Sequence, residues 1–68
     1  MTIVTNIYEA AHGRKPRPSQ DSVWSFLITR RPGEATPFQT SGTYREAARA
    51  VIAEAKTIGG ASNITVMA

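Results

Sequence analysis

Residues 43–60, TYREAARAVIAEAKTIGG, constrain the fold more than any other stretch of the chain. Thr43 and Glu46 have the T-x-x-E spacing of a capping box, in which each side chain satisfies a backbone N–H that the first helical turn leaves unpartnered. Alanine dominates the residues after the box, and Gly59-Gly60 supplies the stop, so the stretch predicts a helix. At about 100° per residue, Tyr44, Ala47, Ala48, Val51, Ala55 and Ile58 share one stripe, while Arg45, Arg49 and Lys56 fall within about 40° of each other on the exposed side. A stripe so rich in methyl groups lies close on its partner but cannot fill a core. The bulk must come from a sheet, through Trp24, Phe26, Ile28 and Phe38.

The strands follow from alternation and from turn residues. TIVTNIYEA (Thr2 to Ala10) is rich in β-branched and aromatic residues and predicts a first strand, with Ile3 and Ile7 on one face and Val4 and Tyr8 on the other. The stretch AAHGRKPRPSQD, with Gly13, Pro16 and Pro18, predicts a loop. SVWSFLITRR (Ser22 to Arg31) alternates Trp24, Phe26 and Ile28 with Ser25 and Thr29 and predicts the central strand. RPGE (Arg31 to Glu34) places proline and glycine as a type II turn requires, so ATPFQT (Ala35 to Thr40) returns as a third strand. Pro37 lacks a ladder donor and places that strand at an edge. SNITVMA (Ser62 to Ala68) alternates Ile64 and Val66 against Thr65 and Met67 and predicts a last strand. The expected order is β-β-β-α-β: an α+β domain of one four-stranded, mostly antiparallel sheet with a single helix packed on one face.

With 68 residues the chain makes one domain, residues 1–68, and without cysteine it has no disulfide, no thiolate nucleophile and no cysteine-ligated metal. Composition is that of a globular protein, 41% hydrophobic and 19% charged. The net charge of +3 favours an acidic partner surface or a phosphate backbone over a basic partner. The start, MTIVTNIYE, lacks the basic and long apolar segments of a signal peptide, and apolar runs such as Phe26-Leu27-Ile28 are short. Both predict a cytoplasmic protein with no membrane partner.

The polar inventory points to binding and away from catalysis. His12 is the single histidine, in the loop, and Glu9, Asp21, Glu34, Glu46 and Glu54 are scattered, with Glu46 already used in capping. One histidine and no cysteine cannot build a tetrahedral metal site. Gly59-Gly60 follows a helix where a phosphate cradle precedes one, so no cofactor is expected.

The sharpest feature is the basic loop, HGRKPRPSQD, with Arg14, Lys15 and Arg17. Its GRKPRP resembles an AT-hook, but Gly13 precedes Arg14 and Lys15 where that motif sets glycine between two arginines. The alternative reading is a charged, solvated connector. If the first strand runs up, the loop lies at the top with the helix start, near Arg45 and Arg49. Arg30, Arg31 and Lys56 then gather at the opposite end. Tyr8, Trp24 and Phe38 are candidates for base stacking, with Trp24 and Phe38 better explained as core. Val4, Tyr8, Val23 and Leu27 on the helix-free face would form an apolar patch at which the chain dimerises or binds a partner.

Two resemblances bear on function. From Val23 to Ala55, VWSFLITRR…PFQTSGTYREAARAVIAEA is similar to the arm-type DNA-binding domain of tyrosine integrases, with its tryptophan-bearing strand, hairpin and phenylalanine-threonine step into a helix. That resemblance implies a sheet set into the major groove and would implicate Trp24, Ser25, Thr29, Arg30 and Arg31 in nucleic-acid binding. The strand NITVMA after the helix departs from that pattern. TIVT, AARAVIAEA and GGASNITVMA, in kind and order, resemble the small anti-CRISPR proteins of phages and mobile elements. This implies a non-enzymatic inhibitor that binds a host CRISPR effector, a protein or ribonucleoprotein complex with an acidic surface, in the host cytoplasm. Its expected effect is to block target DNA recognition or nuclease recruitment. The expected partner-binding residues are Arg14, Lys15, Arg17, Arg45 and Arg49, read from charge and topology.

Overall fold

A computed structural model describes residues 2–31 and 33–67. Among these residues the chain forms β1 (Thr2–Val4), α1 (Asn6–His12), β2 (Asp21–Arg31), β3 (Glu34–Thr43), α2 (Tyr44–Ile58) and β4 (Asn63–Val66). The strands make one sheet in the order β1-β4-β2-β3. The expected α+β class holds, with two corrections: the order is β-α-β-β-α-β with two helices, and the sheet is mixed.

The extra helix replaces the second half of the expected first strand. Residues 6–12, NIYEAAH, end on Gly13 at φ 74°, whose N–H donates to the Glu9 carbonyl at 2.7 Å, a left-handed helix stop. The Thr5 hydroxyl donates to the Glu9 carboxylate at 2.6 Å across the first turn. Ile7 and Tyr8 have strand propensity, but Glu9-Ala10-Ala11 before a glycine suits a helix, and the turn lets Tyr8 reach the core. Tyr8 is therefore 1% exposed, and not on the helix-free face where it would have joined Val4, Val23 and Leu27 in an apolar patch.

The mixed sheet follows from the path of α2. β2 and β3 form a long antiparallel hairpin, with Phe26 opposite Phe38. Pro32 of its turn lies outside the described residues, and Gly33 has φ 83°. The ladder carries an irregularity between Thr29 and Arg31. α2 leads the chain from the end of β3 back along the sheet, so β4 runs antiparallel to β2 and pairs with it, Ile64 opposite Ile28. β1 then adds outside β4 in parallel, Ile3 beside Ile64. β3 occupies an edge, as Pro37 requires.

Both helices cover one face. Trp24, Phe26 and Ile28 of β2 and Ile64 and Val66 of β4 alternate onto it and are fully buried. Ala47, Val51 and Ala55 of α2 and Tyr8 of α1 close the core, with Phe38, Tyr44 and Ile58 partly buried against it. The alanine stripe lets α2 approach closely, and aromatics fill the remaining space: Trp24 lies 5.1 Å from Tyr44 and 5.7 Å from Tyr8, centroid to centroid. The Trp24 Nε1–H donates to the Gly42 carbonyl at 3.0 Å, so the indole is buried without an orphaned donor.

Candidate functional site

β2 begins, and β3 ends, at the pole of the molecule where α2 starts; residues 13–20 lie across that pole. The loop is tied there by its own backbone. The Tyr44 N–H donates to the Gln20 carbonyl and the Arg45 N–H to the Pro18 carbonyl, each at 3.0 Å. The Gln20 side-chain amide donates to the Tyr8 hydroxyl at 3.1 Å, Pro16 is buried, and the His12 ring stacks on Tyr8 at 4.1 Å. A turn closed by the Gln20 N–H on the Arg17 carbonyl at 3.1 Å, with Pro18 inside it, brings the Pro18 and Gln20 carbonyls to α2.

This arrangement decides what the helix start can do. The Glu46 N–H donates to the Thr43 hydroxyl at 3.2 Å, and the Thr43 N–H donates to the Glu46 carboxylate at 3.0 Å, completing the capping box. The N–H groups of Tyr44, Arg45 and Glu46 are thus all used within the chain. No backbone cradle remains for a phosphate in this turn. An anion at this pole would be met by side chains alone.

Those side chains are cationic and exposed. Arg14, Lys15 and Arg17 surround the buried Pro16 and point outward, and Arg45 and Arg49 are exposed on α2. Pro18, Ser19, Thr43 and Arg45 line an open groove where loop meets helix. Among the described residues the salt bridge is Arg31 to Glu34, 3.3 Å, at the opposite pole. Among the described residues no salt bridge engages Arg14, Lys15, Arg17, Arg45 or Arg49. Of the carboxylates nearby, Glu9 is engaged by Thr5 and Glu46 by Thr43, while Asp21 opens β2 exposed. The Glu46 carboxyl is held below the ordinary glutamate range by the Thr43 N–H, then by the Thr43 hydroxyl, with the Arg49 charge adding to both. Burial pushes the Tyr44 phenol up and keeps it neutral.

The opposite pole differs. Arg31 is paired, and Arg30 has its Nε 3.9 Å from where a Cβ on Gly60 would stand, against the chain after α2. Lys56 is in the last turn of α2, where a cation favours the helix dipole. Arg45 stands in the first turn, where the same dipole disfavours it.

The five residues implied by the integrase likeness are not brought together. Strand alternation sends Trp24 under the helices and Ser25 and Thr29 to the helix-free face; Arg30 lies by Gly60 and Arg31 pairs with Glu34. Trp24 and Tyr8, both buried, have no face free for a base, and Phe38 is partly buried against the core. Reasoning from sequence missed the docking of Pro18 and Gln20 on α2, which is made by carbonyl groups and leaves no side-chain signature. Gly13 after EAAH was the available signal for α1. Among the described residues no group of three or more His, Cys, Asp or Glu side chains could hold a metal ion, and no helix is long and apolar enough to cross a membrane.

Fold and site together describe a small α+β domain in which a proline-bearing loop docks on a helix start, with exposed cations on both. Compared with family models, curated proteins and solved structures, the chain finds no match in any of the three.

Proposed function

We propose that this is a non-enzymatic binding protein that engages an extended anionic surface through Arg14, Lys15, Arg17, Arg45 and Arg49. The observation that carries the reading is that these five side chains are exposed and, among the described residues, in no salt bridge, on a loop and a helix whose docking already uses the helix-start N–H groups. Flexible point and fork charges without a backbone cradle suit a spread of carboxylates or phosphates better than one small ligand. The narrower form follows the anti-CRISPR likeness: the chain occupies an acidic protein surface or guide-RNA backbone of a host CRISPR effector and obstructs target DNA recognition or nuclease recruitment.

The test compares a tagged wild-type chain with Arg14→Ala/Arg17→Ala for capture of a purified effector complex, and in parallel for binding to a nonspecific DNA duplex. Effector capture that the double variant loses, at unchanged circular dichroism, supports the reading. Equal capture by both returns the loop to a plain connector. Duplex binding by all five cations would give a log–log salt slope of about −4.5, falling to about −2.7 in the double variant. That result, with no effector capture, would favour direct DNA binding.

A further inference from the structure

The open groove between the docked loop and the start of α2, about 430 Å³ in volume, is lined by Pro18, Ser19, Thr43 and Arg45. Pro18 has no N–H, and its carbonyl receives the Arg45 N–H at 3.0 Å, so what it shows the groove is an apolar ring. The Thr43 hydroxyl receives the Glu46 N–H at 3.2 Å and donates to the Glu46 carboxylate at 3.0 Å, which leaves its methyl group. Two side-chain donors remain. Ser19 is exposed, and among the described residues its hydroxyl enters no hydrogen bond. Arg45 is exposed, with its guanidinium in no salt bridge among those residues. We propose that the groove seats an aspartate or glutamate side chain of an acidic protein segment, with Arg45 as its anchor and Ser19 as the second donor; this deepens the binding through the five cations proposed above and rests on it.

The donors left over select the ligand chemistry. A guanidinium presents a planar fork that matches the two oxygens of a carboxylate, and a serine hydroxyl rotates to donate to either of them. Such a carboxylate arrives on a short methylene stem, which the Pro18 ring and the Thr43 methyl can cover. A groove of about 430 Å³ lies toward the small end of ligand sites, with room for one side chain and the backbone beside it. Arginine in a pocket with apolar walls is a common energetic anchor of protein interfaces.

The surroundings favour a protein segment over a nucleic-acid backbone. Carboxylates flank the groove: Glu46 is bonded to Thr43, and the exposed Asp21 stands opposite Thr43 in the β2–β3 ladder. A phosphate seated beside Arg45 brings a charged neighbour on either side, and these fixed anions repel it. A protein segment can set one carboxylate in the groove with uncharged residues around it. The helix-start N–H groups, which would otherwise cradle a phosphate, are spent on Gln20, Pro18 and Thr43. Tyr8 and Trp24 are buried and give an unpaired base no face to stack on.

The test is a fluorescence-anisotropy titration of the full chain against two labelled probes of equal charge, hexa-aspartate amidated at its C-terminus and the single-stranded oligonucleotide heptathymidylate. The proposal expects the peptide to bind more tightly than the oligonucleotide at the same ionic strength. Arg45→Gln, which keeps the backbone N–H that holds Pro18, should weaken the peptide about tenfold, and Ser19→Ala, which changes no charge, about threefold. Ser19→Ala should leave the oligonucleotide where it was. Both positions are exposed, so the variants keep their fold, which circular dichroism checks. An oligonucleotide bound as tightly as the peptide overturns the proposal, as does a peptide affinity that neither substitution moves. If the peptide weakens only in Arg14→Ala/Arg17→Ala, the groove fails while the loop cations stand; a peptide indifferent to all four substitutions sinks both.

Discussion

Replacing Arg45 by glutamate should make the protein more stable and a poorer binder at once. Arg45 lies in the first turn of α2, exposed and, among the described residues, without a salt bridge, where the peptide dipoles oppose a cation. Removing a cation from that end and adding an anion are each worth about 0.3–1 kcal/mol. Arg49, four residues on, changes from a like-charged neighbour to an opposite one, adding about 0.4–1 kcal/mol across the two signs. The adjacent Glu46 carboxylate opposes the new charge, and the Pro18 and Gln20 carbonyls already occupy two N–H groups, which holds the dipole share near its lower bound. The net gain for Arg45→Glu is about 1–2 kcal/mol, and a domain of this length moves by about 4–8 °C per kcal/mol, so Tm should rise by about 5–15 °C. Thermal unfolding by circular dichroism and urea unfolding followed by the single, buried Trp24 report the gain independently. The same variant should capture less of the effector complex. As a mirror, Lys56→Glu, in the last turn, should lower Tm. A fall in Tm for Arg45→Glu would refute the dipole argument, and a rise with undiminished capture would refute the role of this pole.

Gly42→Ala should destabilise by about 2–4 kcal/mol, because φ is 128° there and a Cβ would stand 3.1 Å from the Glu46 carboxylate that caps α2; a loss below about 1 kcal/mol in urea would contradict it. The Glu46 carboxyl is depressed in the folded chain, so its contribution is complete above the ordinary glutamate range and is lost as pH falls through the folded value below it. Wild type should therefore lose Tm faster on acidification than Glu46→Gln, whose amide oxygen still accepts the Thr43 N–H without titrating, and parallel curves would contradict this. Tyr8→Phe removes the hydroxyl that receives the Gln20 amide and should cost about 0.5–1.5 kcal/mol. Hydrogen exchange should quicken at Tyr44 and Arg45, whose N–H groups the loop holds, while Val51 in mid-helix is unchanged.

The elements most legible in the sequence were those whose signals are local and agree with one another. The capping box at Thr43 and Glu46, the stripe through Ala47, Val51 and Ala55, and the alternation of Trp24, Phe26 and Ile28 all have one physical solution, and the structure adopts it. Pro37 announced an edge by lacking a donor. Asn6 to His12 carried conflicting signals, strand-forming Ile7 and Tyr8 against a glycine-terminated Glu-Ala-Ala. Only the core, by taking Tyr8 beside Trp24, resolved them in favour of a helix. The exposure of the five cations was legible from their positions in the loop and on the helix stripe.

What the amino-acid order determined alone, then, is one well-capped helix lying on a strand-rich partner, with cations confined to loop, helix surface and turn. Tertiary structure decided three further things. It placed β1 beside β4, because the direction of β4 is set by the return of α2. It docked the proline-rich loop on the helix start through carbonyl groups that every residue possesses, which no composition can signal. It put both helices on one face and left the other bare, because which side of a sheet a helix covers depends on how distant strands pair, and sequence pattern records only that two sides exist.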